Sequence, residues 1–282
     1  MDTSIGRELR DLVDPVVVAA FEGWNDAGSA ASAAVDHLAE VYDAELAFAL
    51  DPDDFYDFQV NRPQVELDED GSRSLVWPTT ELHIGRLADG RDLLLVRGPE
   101  PNMRWRQFAT LLASALTSAN VTRVHLLGAL LADIPHTRPI PVSSSSSSIE
   151  LGEQLGLLPS TYEGPTGIVG VLSESLGRIG VPTLSSWAAV PAYVAHPPCP
   201  KATYALLSRL ERLIDVPLDF GELPELAKAW ERGVDELAAE DAEVAEYVSN
   251  LEASQDATEL PEASGEAIAA EFERYLRRRQ GP

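Results

Sequence analysis

Residues 124–142 read VHLLGALLADIPHTRPIPV, and six serines follow at 143–148. The apolar run Val124–Leu131 has the length and the lack of alternation of a strand buried on both faces, which is the pattern of a parallel sheet. Pro135, Pro139 and Pro141 stiffen the segment after that run and keep it from becoming a helix. The carboxyl end of the strand is thus expected to carry Asp133, His136 and Arg138 on a restrained turn. In open α/β sheets that end is where ligands bind. The serine run is the only low-complexity segment and reads as a flexible loop.

Working outward, Val16–Phe21 is a second short β-branched run, and Ala27–Tyr42 follows it with Ala30, Ala34, Val35, Leu38 and Val41 at helical spacing. Leu82–Leu87 and Arg91–Val96 flank Ala88-Asp89-Gly90, a hairpin signal that places one antiparallel pair in the sheet. Trp105–Leu116 reads as a helix, Gly167–Leu172 as a buried strand, Ser173–Ile179 as a short helix, Pro182–Val190 as a strand and Lys201–Ile214 as a helix. Alternating strands and helices over residues 14–215 predict a three-layer α/β sandwich around a mostly parallel sheet. Past Asp219 the pattern is helical only. Leu223, Ala227, Trp230, Val234, Leu237, Asp241, Val244, Val248 and Leu251 step by threes and fours, the seam of a helix packed along a partner. Asp241 is the one charge in that seam and reads as a helix edge reaching water. Ile268, Phe272, Tyr275 and Leu276 mark a last helix, with Arg277–Arg279 at the negative end of its dipole. The expected division is an α/β domain over 1–219 and an acidic helical subdomain over 220–282.

The chain carries a formal charge of −25, and residues 222–273 hold 16 acidic residues against Lys228 and Arg232. Such a surface repels phosphate backbones, so neither nucleic acid nor an anionic membrane is an expected partner. No apolar run reaches the roughly 20 residues of a membrane span, and Met1–Val13 lacks the basic-then-apolar form of a secretory signal. A cytoplasmic location is the expectation. One cysteine, Cys199, gives neither an intramolecular disulfide nor a thiolate metal site.

Gly23 and Gly28 have the spacing of a phosphate-binding loop, but Ser29 and Ala30 stand where its lysine and hydroxyl residue belong. The loop reads instead as a turn in which Asn25 or Asp26 caps the helix. Asp51-Pro52-Asp53-Asp54-Phe55-Tyr56-Asp57-Phe58 reads as an acidic surface loop anchored by aromatics, with Arg62, Arg73, Arg104 and Arg106 as counter-charges. The segment 98–106 leaves a strand and enters a helix, as the 133–138 turn leaves its own strand. Asn25, Asp26, Glu100, Arg104, Asp133, His136 and Arg138 are therefore the candidate ligand-binding set around one cleft. No G-x-S-x-G elbow is present and His37, His83, His125, His136 and His196 have no paired metal spacing, so no catalytic residue, metal or cofactor is assigned. If the cleft is catalytic, Asp133 and His136 are the residues that carry it.

Several blocks together resemble the PAC2 family, named after a proteasome assembly chaperone, in its actinobacterial form. They are FEGWNDAG at 21–28, DPDDFYDFQ at 51–59, GPEPNMRWR at 98–106, LGALLADIPHTRPIPV at 127–142, YEGPTGIVGVL at 162–172, SSWAAVPAYVA at 185–195, PKAT at 200–203 and EFERYLRRR at 271–279. The resemblance implies a sandwich similar to purine nucleoside phosphorylases and related hydrolases, with a small helical C-terminal part. It also implies homo-oligomers, with a trimer as one expected form, and a chaperone-like or scaffold role through protein contacts, with proteasome subunits as expected partners. The second reading is a small-molecule enzyme of hydrolase or phosphorylase type. The family's Gly/Thr-containing turn after the HTRP-x-PV segment is replaced here by polyserine. The hydrophobic-Tyr-X tail by which related chaperones dock is replaced by Gln280-Gly281-Pro282, so docking by that route is not expected.

Overall fold

A computed structural model describes residues 9, 11–68 and 71–257. The strands are β1 (Val16–Glu22), β2 (Glu45–Ala49), β3 (Gln64–Leu67), β4 (Arg73–Val76), β5 (Glu81–Arg86), β6 (Asp92–Pro99), β7 (Val124–Ala132), β8 (Val142–Ser146) and β9 (Thr183–Pro191). The helices are α1 (Ala30–Val41), α2 (Trp105–Ser118), α3 (Ile149–Leu155), α4 (Ile168–Arg178), α5 (Pro200–Ile214), α6 (Leu223–Glu240) and α7 (Ala242–Ala257). Seven strands form one sheet in the order β2-β5-β6-β1-β7-β9-β8, and β3 and β4 form a separate ribbon. β6, β1, β7 and β9 are mutually parallel, β5 and β8 run against them at the flanks, and β2 pairs antiparallel with β5 at the edge.

The sheet is the middle of three layers, as the sequence predicts. Side chains alternate across β1, so Val17, Ala19 and Phe21 join the core under α2 and α4, and Val16, Val18 and Ala20 join the core under α1 and α5. A strand covered on both faces needs apolar residues at every position, which is why 16–21 and 124–131 show no alternation. β1 sends the chain through α1 toward the β5–β6 side, and β7 sends it through α4 toward β9, so these neighbours form the switch point of the sheet.

Four expectations are corrected. Residues 167–179 are not a strand followed by a helix but the single helix α4, whose Ile168, Val169, Leu172 and Leu176 are buried. Their spacing of one, three and four makes a helical stripe, which a six-residue apolar window cannot distinguish from a strand. The serine run is not a loop, because Val142–Ser146 pair with β9 from Ala188 to Leu184, and Ser148 caps α3 by accepting from the Leu151 amide at 3.3 Å. With β2 also antiparallel to β5, the sheet holds three antiparallel pairings where one was expected. The seam past residue 223 is not one continuous helix. Asp241 is extended (φ −125°, ψ 112°), and its carboxylate accepts from the amides of Glu243 at 2.9 Å and Val244 at 3.4 Å, starting α7. The last expected helix, Ile268–Leu276 with Arg277–Arg279, lies outside the described residues.

Candidate functional site

The loop joining β1 to α1 lies against the end of β7. The Ala129 amide donates to the Asn25 carbonyl at 2.8 Å, extending the sheet by one bridge. Asp26 caps the adjoining helix: Oδ1 accepts from Ala31 N at 2.7 Å and Ser32 N at 3.3 Å, and Oδ2 from Ser32 Oγ at 2.5 Å. Burial raises the Asp26 pKa, and these bonds offset only part of the rise. Gly28 has φ +61°, and a Cβ there would sit 2.8 Å from the Cys199 Cβ, so only glycine permits the loop to touch the start of α5. Cys199 is buried, which pushes its thiol up to about 11 and makes it a packing group rather than a nucleophile. A cavity of about 270 Å³ at this switch point is walled by Trp24, Asp26, Gly28, Leu130 and Pro197 among others.

Asn25, only 1% exposed, donates from Nδ2 to Glu100 Oε1 at 2.8 Å, and the same oxygen accepts from the Ile168 amide at 2.8 Å. One carboxylate thus joins the β1 loop, the end of β6 and the first turn of α4, where a negative charge meets unpaired amides and the positive end of the dipole. Arg104 is elsewhere. It begins α2 with φ +55° and pairs with Asp54 at the surface.

The turn after β7 faces the C-terminal helices. His136, 1% exposed, places Nε2 3.0 Å from Asp235 Oδ1 and Nδ1 2.6 Å from the Tyr193 hydroxyl, which also accepts from the His136 amide at 2.7 Å. One assignment satisfies all three: Nε2–H donates to the carboxylate, and Nδ1 accepts the tyrosine proton. Burial first, then neighbouring acidic groups, pushes the Tyr193 phenol up to about 12, so it remains a donor at neutral pH. Around this centre Lys201 joins the His136 carbonyl at 2.5 Å to Glu231, Tyr247 donates to Asp133 at 3.1 Å, and Glu252 accepts from Thr137 and, at 3.3 Å, from Arg138. Hydrogen bonds and ion pairs thereby hold α6 and α7 against the strand ends.

The seven candidate residues are therefore distributed over three places. Asn25, Asp26 and Glu100 sit at the β1 loop, Arg104 on the surface beside the acidic loop, and Asp133, His136 and Arg138 under α6 and α7. Tyr193, Lys201, Glu231, Asp235, Tyr247 and Glu252 were not singled out in the sequence. The one available signal was the spacing of Glu231 and Asp235, four residues apart and so on one helix face. Among the described residues no group of three or more His, Cys, Asp or Glu is placed to hold a metal ion, and no helix is long and apolar enough to cross a membrane.

This architecture, a parallel sheet core with antiparallel flanks and a helical pair clamped over the strand ends, has counterparts. The PAC2 family model matches residues 20–238, and the chain belongs to that family. A PAC2 family protein from Streptomyces avermitilis is 58% identical, with a TM-score of 0.79 over 83% of this chain and 100% of its own. A proteasome-assembly chaperone homologue from Mycobacterium tuberculosis is 50% identical, with a TM-score of 0.75 over 83% of this chain and 99% of its own. Pyrococcus furiosus PbaB, an archaeal proteasome activator, shares the fold at 17% identity and a TM-score of 0.65, over 80% of this chain and 94% of its own. No curated protein matches the chain.

Proposed function

We propose that this chain is a chaperone-like or scaffold protein that works through protein contacts in the cytoplasm, serves proteasome assembly and binds proteasome subunits. A homo-oligomeric state, with a trimer as the expected form, and a division into a body (1–219) and an appended helical module (220–282) belong to the same proposal. The mycobacterial homologue supports the process. The observation that carries the mode of action is the β3–β4 ribbon. Its register puts Val65 opposite Leu75 and Leu67 opposite Arg73, so Val65, Leu67 and Leu75 share one face and are 52%, 74% and 54% exposed. An isolated two-stranded ribbon is marginal in water, and apolar clusters left on a surface mark interaction sites. At its base Trp77 meets Phe58 edge to face at 4.8 Å, giving the face a rigid aromatic root.

Co-expression with the proteasome α and β subunits of the same organism, followed by native mass spectrometry, tests this reading. Complexes between this chain and incompletely assembled subunits are expected, and Leu67→Asp with Leu75→Asp should abolish them without lowering the melting temperature. If the unaltered chain captures neither subunit, the reading fails.

The cavity at the β1/β7 switch point favours a second reading, a small-molecule site of hydrolase or phosphorylase type bordered by Trp24, Asp26 and Ser29. A thermal-shift screen of phosphate, nucleosides and carboxylates tests it, since a ligand of the native state raises the melting temperature.

A further inference from the structure

The serine strand ends the seven-stranded sheet and borders a second cleft of about 1050 Å³. The Ala189 amide donates to the Pro141 carbonyl and the Ser147 amide to that of Thr183, at 3.0 Å each. In an antiparallel ladder, positions 141, 143, 145 and 147 therefore turn their backbone groups toward β9, and 142, 144 and 146 turn theirs away from it. The amides and carbonyls of Ser144 and Ser146 have no hydrogen-bond partner among the described residues. The side chains of Ser143 and Ser145 lie on the sheet face of their cross-strand partners, Trp187 and Ser185. That face is roofed by α4 and residues 156–167, and the small residues Gly170, Ser173 and Gly177 of α4 line the cleft. Serine on the floor and glycine on the wall leave room where a core would normally close.

Two further observations give the occupant its chemistry. Residues 143–177, which supply most of the lining, contain Glu150, Glu153, Glu163 and Glu174 and no lysine or arginine; Glu174, the one of the four on the cleft wall, pairs with Arg178, and the other three lie around the cleft without an ion-pair partner among the described residues. All four glutamates are exposed. At the inner end lies Asn25, whose Nδ2 is committed to the Glu100 carboxylate, so the orientation of its amide is fixed. Oδ1 is then a buried acceptor without a partner among the described residues. The free ladder amides and carbonyls call for an extended backbone, and the acidic surround and the unpartnered buried acceptor call for hydrogen-bond donors and positive charge.

We propose that the edge of β8 and the adjoining cleft receive an extended, basic peptide segment of a partner protein, which adds to the sheet as a further strand. Main-chain bonds to Ser144 and Ser146 hold the segment, alternate side chains enter the cleft, and the glutamates select lysine or arginine. Such an edge otherwise invites unspecific pairing. This site is separate from the β3–β4 ribbon and does not depend on a role in proteasome assembly.

The test is fluorescence anisotropy of the full chain with labelled ten-residue peptides that alternate lysine with valine, threonine or isoleucine. Glutamate-for-lysine and alternately N-methylated versions serve as comparisons. Binding tighter than about millimolar is expected for at least one lysine peptide, with at least a tenfold loss on reversing its charge or methylating its backbone. Ser144→Pro removes one outward amide, which an edge strand tolerates, and Ser145→Trp fills the cleft. Each should weaken binding about tenfold or more, with circular dichroism and melting temperature showing that the fold is retained. No binding by any lysine peptide, or binding indifferent to N-methylation and to both variants, overturns the proposal. Binding that emerges only after removal of residues 258–282 also overturns it, because the occupant is then this chain's own terminus.

Discussion

His136 Nε2 lies 3.0 Å from Oδ1 of Asp235, 99 residues further along the chain. The imidazole is almost wholly buried while the carboxylate side chain is 54% exposed. The pair thus couples a β-strand end to a helix that the sequence presents as a separate acidic module.

Replacing Asp235 by Ala should loosen that module. Because the carboxylate is half exposed, its Coulomb contribution is small. The larger cost is a buried Nε2–H left without an acceptor, about 1–2 kcal/mol. Urea unfolding should register the loss, and limited proteolysis between residues 215 and 223 should accelerate. Unchanged proteolysis would mean that the histidine contact does not hold α6.

His125 sets a pH dependence. Burial on β7, and then the charges of Arg123 and Arg91, push its pKa down to about 3. The unfolded chain takes up a proton near pH 6.5 and the fold does not, so this stability is present above pH 6.5 and is lost as pH falls toward 3. The total is on the order of 5 kcal/mol. Burial raises the pKa of Glu22, Asp26 and Asp36, which gives the opposite slope through the carboxylate range. His125→Leu removes only the histidine contribution, so its stability should fall less than that of the natural chain between pH 6.5 and 4. Parallel curves would refute the assignment.

A Cβ at Gly167 would lie 2.3 Å from Asn25 Oδ1 and 2.7 Å from Glu100 Oε1, whereas one at Gly177, on the same helix, meets nothing within 4 Å. Gly167→Ala should destabilise by about 2–3 kcal/mol as the amide and carboxylate are displaced. Gly177→Ala should stabilise by about 0.5–1 kcal/mol through helix propensity alone. Chemical denaturation of the two variants together checks both signs.

Loss of the Asp241 cap in Asp241→Ala should cost about 1 kcal/mol and appear first in α7. Hydrogen exchange should show the amides of Glu243 and Val244 losing protection while the sheet keeps its own. Equal loss throughout the protein would place the effect elsewhere.

The layered body was legible in the sequence because strands buried on both faces leave uninterrupted apolar runs, as at 16–21 and 124–131. Where pattern and length conflict, as at 167–179, the short window favoured the wrong period. The serine strand was illegible for a different reason: serine carries little strand preference, and β8 forms because its backbone completes the ladder of β9. The contacts of the candidate site were the least accessible. Asp26 capping its own helix is local and was expected as one of two alternatives. The Glu100 bond to the Ile168 amide spans 68 positions, and the clamp on His136, Arg138 and Lys201 depends on where α6 and α7 come to rest.

A strand whose residues after Val142 are all serine also has unusual grammar. Sliding β8 by one position would replace serine with serine on both faces, so side-chain identity inside the run supplies no register. Alignment is left to the boundaries, Val142 packed under α5 and Ser148 capping α3. Substituting a single serine by threonine should therefore pass almost unnoticed. Deleting one would swing Ile149 and all of α3 out of phase, which makes the length of this run, rather than its spelling, the inherited quantity.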